Sequence, residues 1–526
     1  MEQSEPDDAD CEVLKDQQMV RLADGGYVDD TAVAFIIKHL QDNGLGEDFR
    51  IVLFMNTTSE GVQMGSHTIP QAIARLFGES KRGSDLDNFP VVGSVSFETV
   101  SAHVFQKAAW DNVQEKWAIP EDSKLRLRHF VLQVETVKNL AFGIKAGDRG
   151  ELFIFISEHS GASIVPVTDD DFQKYKEIYT KTRSMMKERH ERVDSVLKAL
   201  GTTAAAGSVK VKVAFSGGGW HSHTCHSAWF AAMLDAPWAP KLKEILWNVD
   251  VMASNSGGSW FLSMLAFSKA FCDALEVKTS RDQWAILSPD ADATDANGFL
   301  EQTRRAFGGT LFEGNFWGLA RLFRLAMSYR FDWPAAVKGL VYAPYDMKTE
   351  LENASLSGAC VDWVEAPDSK TLLFATSLMT EDVVLCQNGL LKDEQMYDAK
   401  VEGQKMFTPV FFARTPLKRS RPHFFSVGKE VALAYKSNTT VTSHPRGEIA
   451  VNQEDRRDGL RDSAAGVKVM DAATASSAAA ALVASTKIFD ILMQASFRGE
   501  EEATALLAAA GCAGCESPDA KRQRIL

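Results

Sequence analysis

No run in this chain reaches the roughly 18 apolar residues that cross a bilayer, and the acidic start MEQSEPDDAD has neither the basic opening nor the apolar core of a secretory signal. A cytoplasmic location is expected. Positive charge is also short: 57 Lys and Arg stand against 70 Asp and Glu, for a formal net charge of -13. Nucleic acid is therefore not expected as a partner, since phosphate binding needs a concentrated basic face, and an anionic membrane would repel the average surface. Any membrane contact would rest on local apolar surface. The seven cysteines are an odd, scattered set that suits reduced thiols better than a disulfide framework. Cys512 and Cys515 form one CxxC without a second pair or nearby histidines, and the His221, His223, His226 cluster fits no familiar zinc spacing. Neither a metal nor a cofactor is expected. G-x-G-x-x-G and a P-loop Gly-Lys-Ser/Thr are both absent, and the sequons at Asn56, Asn353 and Asn438 mean little without secretion.

What is present describes a large folded protein: 526 residues, 45% hydrophobic and 24% charged. Short apolar runs at 49–55 (FRIVLFM), 129–136 (HFVLQVET) and 151–157 (ELFIFIS) read as strands. Between them, Val33, Ile36, Ile37 and Leu40 repeat at helical spacing, with Asp30 available as the cap and Asn43-Gly44 as the stop. A charged helix is expected at about 170–200, then a small-residue linker at 198–208, then a strand at 209–215 (VKVKVAF). Strands alternating with helices argue for an α/β sheet. Residues 12–500 are expected to form one domain of two halves, 12–197 and 209–500, with an aromatic-rich cap insertion at about 270–420. The ends, 1–11 and 501–526, read as tails.

Three motifs carry chemistry. The first is SGGGWH, 216–221, between a strand and a helix; consecutive glycines leave backbone N–H groups bare, and the helix N-terminus behind them favours negative charge. The second is SNSGGSW, 254–260, which follows the strand LWNVDVMA and opens an apolar helix. Small residues around Ser256 suit a nucleophile elbow, in which a sharp turn exposes Oγ. A plain Ser/Gly helix cap is the alternative. The third is DGG, 24–26, at a strand-to-helix turn near the start of the chain, where a carboxylate has no nucleophile before it. An α/β-hydrolase would add a late histidine, but His423 and His444 sit in no convincing strand-end loop.

GGG followed by x and a basic residue, then small-x-Ser-x-Gly, then Ala-Ser-Ser-Ala-Ala, then Asp-Gly-Gly is the motif order of the patatin-like and cytosolic phospholipase A2-like lipid acyl hydrolases. This chain resembles them through SGGGWH, SNSGGSW, ATASSAAAA at 473–481 and DGG at 24–26, with the last motif moved to the front. The resemblance implies a three-layer α/β sandwich with a mostly parallel central sheet, circularly permuted or joined from the parts of two tandem copies. It further implies a Ser-Asp dyad of Ser256 and Asp24, an oxyanion hole from Gly217, Gly218 and Gly219, and a substrate-binding role for His221 in the place of the basic residue. Ser254 replaces the first elbow glycine, and Asp30 stands where asparagine is common.

The activity implied is that of a phospholipase or lysophospholipase, acting through an acyl-serine without a cofactor. The stripe Phe316, Leu319, Leu322 and Phe323 within 311–333 is either a core helix or a lid for peripheral contact with lipid. A non-catalytic lipid- or partner-binding protein on the same fold is the alternative function. A nucleotide-binding enzyme using SGGGW for phosphate is a third.

Overall fold

The computed structural model describes residues 19–46, 48–58, 61–79, 102–117, 125–139, 142–159, 177–178, 180–186, 190–235, 241–276, 337–342, 351, 354–356, 361–365, 370–381, 405–414, 424–426, 429–431, 448–450 and 468–477. In chain order the strands are β1 (Met19–Asp24), β2 (Phe49–Thr58), β3 (Gly61–Met64), β4 (His67–Pro70), β5 (Leu125–Glu135), β6 (Arg149–His159), β7 (Val211–Phe215), β8 (Val249–Asn255), β9 (Thr371–Glu381), β10 (Lys405–Arg414), β11 (Phe424–Ser426), β12 (Lys429–Val431) and β13 (Glu448–Ala450). The helices used below are α1 (Val33–Asp42), α2 (Gln71–Leu76), α3 (His190–Ala199), α4 (Gly219–Leu234), α5 (Leu242–Ile245), α6 (Gly257–Phe267), α7 (Lys269–Glu276), α8 (Asp362–Glu365) and α9 (Val469–Ser476).

The centre of the molecule is a parallel run in the order β9-β8-β7-β2-β6, with antiparallel β10 and β5 outside it. Parallel strands buried on both faces should read as continuous apolar runs, and β2 does so. Val52 and Phe54 face one core, while Ile51, Leu53 and Met55 face the other. The first core is closed by α3, α4, α5, α6, α7, α8 and α9, and the second by α1, α2 and the β3–β4 hairpin. This is a three-layer α/β/α arrangement.

Strand β9 has a further partner. Its residues Thr371 to Ala375 pair with the parallel strand β8, and its residues Thr376 to Met379 pair with the antiparallel strand β1. Strand β10 occupies the whole opposite edge of β9, so β8 and β1 must share one edge. They run toward each other along it. Asn255 at the end of β8 lies opposite Ala375, and Asp24 at the end of β1 lies opposite Thr376, the next residue.

Some expectations need correcting. The segment at 270–420 contributes β9 and β10 to the main sheet and is therefore not simply a cap. At the head of α1, the carboxylate that accepts from the Ala34 N–H (2.8 Å) and the Thr31 N–H (2.9 Å) belongs to Asp29, not Asp30. Asp30 is thereby released for other contacts. The end of α1 is as expected: Gly44 takes φ 67, and the Asn43 side chain donates to the His39 carbonyl at 2.8 Å. The stretch at 198–208 is held rather than loose, because the buried Asn248 side chain donates to the Gly201 carbonyl and accepts from the Gly207 N–H, both at 2.7 Å. No helix among the described residues is long and apolar enough to cross a membrane.

Candidate active site

Ser256 follows β8 and precedes α6 with φ 49 and ψ -123, a region that L side chains enter only under constraint. Two features impose that constraint. Every residue of α6 is buried, which anchors the helix, and β8 is fixed between β7 and β9. The turn between them is tight: a Cβ on Gly257 would lie 2.0 Å from the Gly219 carbonyl oxygen, so only glycine fits there. Ser254, where glycine is usual in the resembled family, is accommodated because its Oγ bonds Ser259 Oγ at 2.9 Å in the core.

A second layer braces the elbow. The Ser256 N–H donates to the carbonyl and to Oγ of Ser476, at 3.1 and 3.2 Å, and Ser476 Oγ bonds Ser259 Oγ at 2.7 Å. Trp260 Nε1 donates to Ser477 Oγ at 2.9 Å. Ser476 and Ser477 of the Ala-Ser-Ser-Ala-Ala block thus lie directly against the Ser256 turn.

The meeting of β1 with β8 brings Asp24 to the same place, with the Ser256 and Asn255 side chains as its polar neighbours. The Gly26 N–H donates to Asp24 Oδ1 at 2.8 Å. Burial pushes the Asp24 carboxyl up to about 6, against Ser256, Gly26 and Asn255, which pull it down. Gly25 must be small, since a Cβ there would stand 2.5 Å from Asn255 Oδ1.

Asn255 Nδ2 donates to Asp30 Oδ1 at 3.1 Å, and the same side chain helps hold the Asp24 ionisation down. The Asp30 carboxyl is pushed up to about 7 by burial and by the charges of Asp24 and Asp29, with Arg75 and the Asn255 bond opposing. Its Oδ1 lies 2.2 Å from where a Cβ on Gly217 would be, and Ser256 Cβ lies 3.1 Å from that same point. Asp24, Asp30, Asn255, Ser256 and the glycine loop therefore form one cluster.

Within the loop, the Gly217 N–H is already spent on the Asp30 carbonyl at 2.9 Å, which removes it as an oxyanion donor. Gly218 (φ 124) and Gly219 (φ 56) adopt backbone geometry that favours glycine and lead into the sixteen-residue helix α4. Their amides donate to no described acceptor. His221 is not brought to the Ser256–Asp24 pair by any described contact. It is buried in α4 with its ring 4.3 Å from that of His159, and burial holds it far below the usual imidazole range, so it is neutral. It does not supply the positive charge of the basic residue it replaces.

No family model, curated protein or solved structure matches this chain. Among the described residues no group of three or more His, Cys, Asp or Glu side chains is placed to hold a metal, and Cys225 and Cys272 are buried free thiols. Segment 311–333, His423, His444, Cys512 and Cys515 lie outside the described residues. Sequence reasoning missed Asn255 as the bridge between two carboxyls and treated Asp30 as a substitution rather than a member of the site. Their adjacency to Ser256 and to the Asp-Gly-Gly turn was the available signal.

Proposed function

We propose that this chain is a serine lipid acyl hydrolase of the phospholipase or lysophospholipase type, on a permuted patatin-like or cytosolic phospholipase A2-like arrangement, working in the cytoplasm. One observation carries the reading: a hydroxyl on a constrained strand-to-helix turn stands beside a carboxylate and two unclaimed glycine amides. Ser256 Oγ attacks the ester carbonyl carbon while its proton passes to Asp24. The resulting oxyanion is held by the Gly218 and Gly219 N–H groups, at the N-terminus of α4. As the carbon–oxygen bond to the leaving alcohol breaks, Asp24 returns the proton to that oxygen, leaving an acyl-serine. Water, deprotonated by Asp24, then releases the fatty acid. A carboxylate of ordinary acidity is a poor base for serine, and the upward shift of Asp24 brings it closer to the task.

The cyclic order of Gly loop, elbow, Ser-Ser block and Asp-Gly-Gly, with both dyad residues from one chain, supports the permuted reading over assembly between two chains. A second reading, a lipid- or partner-binding protein with weak or no catalysis, is favoured by the Asp30 carboxyl against Gly217, where negative charge opposes an oxyanion. Fluorophosphonate labelling separates the two. The hydrolase reading expects labelling of the wild type, its loss in Ser256→Ala, and release of fatty acid from phosphatidylcholine or lysophosphatidylcholine that falls by about 1,000-fold or more in that variant. An unlabelled wild type would favour the second reading.

A further inference from the structure

The parallel strands β7 and β2 are neighbours, with Phe215 opposite Phe54, but the chain leaves them in opposite directions. From β7 it proceeds to β8 on one side, and from β2 the next strand of the sheet is β5 and then β6 on the other. Diverging connections open a crevice at the carboxyl ends of such a pair, where ligands of open α/β sheets bind. Gly217, Gly218 and Gly219 form one lip of this crevice. The other lip is the end of β2, and Asn56 stands there.

Two hydrogen bonds fix Asn56. Its backbone N–H donates to Ser216 Oγ at 3.1 Å, tying the strand end to the glycine loop. Its Oδ1 accepts from Cys225 Sγ at 3.4 Å. Burial pushes the Cys225 thiol up to about 12, so it stays an S–H donor and holds the amide with oxygen inward. The NH2 end is thereby turned toward the loop: Nδ2 lies 3.2 Å from the place where a Cβ on Gly218 would be. Although Asn56 is buried, Nδ2 donates to no described residue. A buried residue that commits its backbone N–H and side-chain oxygen, yet leaves its amide donors beside the anion cradle, is built to give them to a ligand.

We infer that Asn56 is a catalytic residue, supplying through Nδ2 a third hydrogen bond to the carbonyl oxygen of the ester as it becomes an oxyanion, beside the Gly218 and Gly219 amides. The inference rests on the hydrolase reading given above. It assigns to a side chain on β2 part of a role that the glycine loop alone was expected to fill. Positive charge is not required, which fits the neutrality of His221.

The full-length chain tests this with a p-nitrophenyl fatty acyl ester and an alkyl trifluoromethyl ketone, which forms a tetrahedral adduct with serine. Asn56→Ala is expected to lower kcat by about 10- to 100-fold with KM within about twofold, and to weaken the ketone by the same factor as kcat/KM. Asn56→Asp keeps the shape, so it also covers the case in which Asn56→Ala does not fold. It should lose more than the alanine variant at neutral pH and recover part of that loss at lower pH, as the new carboxyl takes up a proton. A folded Asn56→Asp with kcat within twofold of the wild type overturns the assignment, as does a kcat loss without matching loss of ketone affinity. A wild type inert toward ester and fluorophosphonate alike overturns the hydrolase reading and this inference with it.

Discussion

At the amino ends of the parallel strands, charges meet their opposites or a polar partner: Arg50 faces Glu151 at 2.8 Å, Lys212 faces Asp250 at 3.4 Å, and the neutral Gln41 amide donates to Asp148 at 2.6 Å. These groups line or border a cleft of about 660 Å³. At the carboxyl ends of the same sheet, Asp24 and Asp30 stand beside one amide, that of Asn255, and Ser256 holds a backbone conformation that its residue type avoids. Both rims belong to the same sheet. On one, even the desolvated Lys212 and Asp250 face each other as opposite charges. On the other, two desolvated carboxyls stand together beside a serine in a constrained turn, as sites of chemistry tend to do.

The comparison can be tested most severely at Asp24. Asp24→Asn is expected to lower kcat for ester hydrolysis by about 1,000-fold, since it removes the base while leaving the shape of the site. In the wild type, kcat/KM should rise about tenfold per pH unit at low pH and level off above about 6, where burial has placed the Asp24 ionisation. A limb centred near 4, the ordinary aspartate range, would contradict that environment.

Smaller effects should appear in stability. The folded-state ionisation of Asp30 is raised to about 7, so the folded form prefers the proton. That stabilisation is fully present below the unfolded value near 4 and is lost as pH rises through about 7. Asp30→Asn escapes the loss. Its Tm should exceed the wild-type value at pH 8 by roughly 2–4 °C and match it near pH 4, read by thermal denaturation at both. On the opposite rim, Glu151→Gln should cost only about 0.2–1 kcal/mol in urea titration, and less in high salt, because the Arg50 pair is open to solvent.

Much of this was legible in the sequence where the physics is local. FRIVLFM, HFVLQVET, ELFIFIS and VKVKVAF are apolar runs bounded by turns, and each lies in a strand of the sheet. The elbow and the Asp-Gly-Gly turn were readable because close backbone approach at Gly257 and Gly25 admits no side chain. What escaped depends on distant parts of the chain. TLLFATSLMTE carries as good a strand pattern as β2, yet its aromatic-rich surroundings suggested a cap, and only pairing with β8, β1 and β10 shows its place. Asp29 and Asp30 are one position apart, and helical periodicity does not say which carboxylate turns back to cap α1. The fate of His221 is set by burial and by His159, a residue on β6, far from it in the chain. Asn56 read only as an unused sequon, because nothing local to it reveals that the end of β2 borders the glycine loop.

The head-on meeting of β1 and β8 makes β9 a splint across two strand ends that no covalent link joins directly. The offset between Asp24 and Asn255, the residue before Ser256, is inherited from a single step of that splint, from Ala375 to Thr376, about 3.3 Å of extended backbone. Loops elsewhere can lengthen or shorten without disturbing it. One residue added to or removed from β9 at that step would pull the two strand ends apart or drive them together, so the spacing of the proposed reacting pair is encoded in a strand that contributes neither of them.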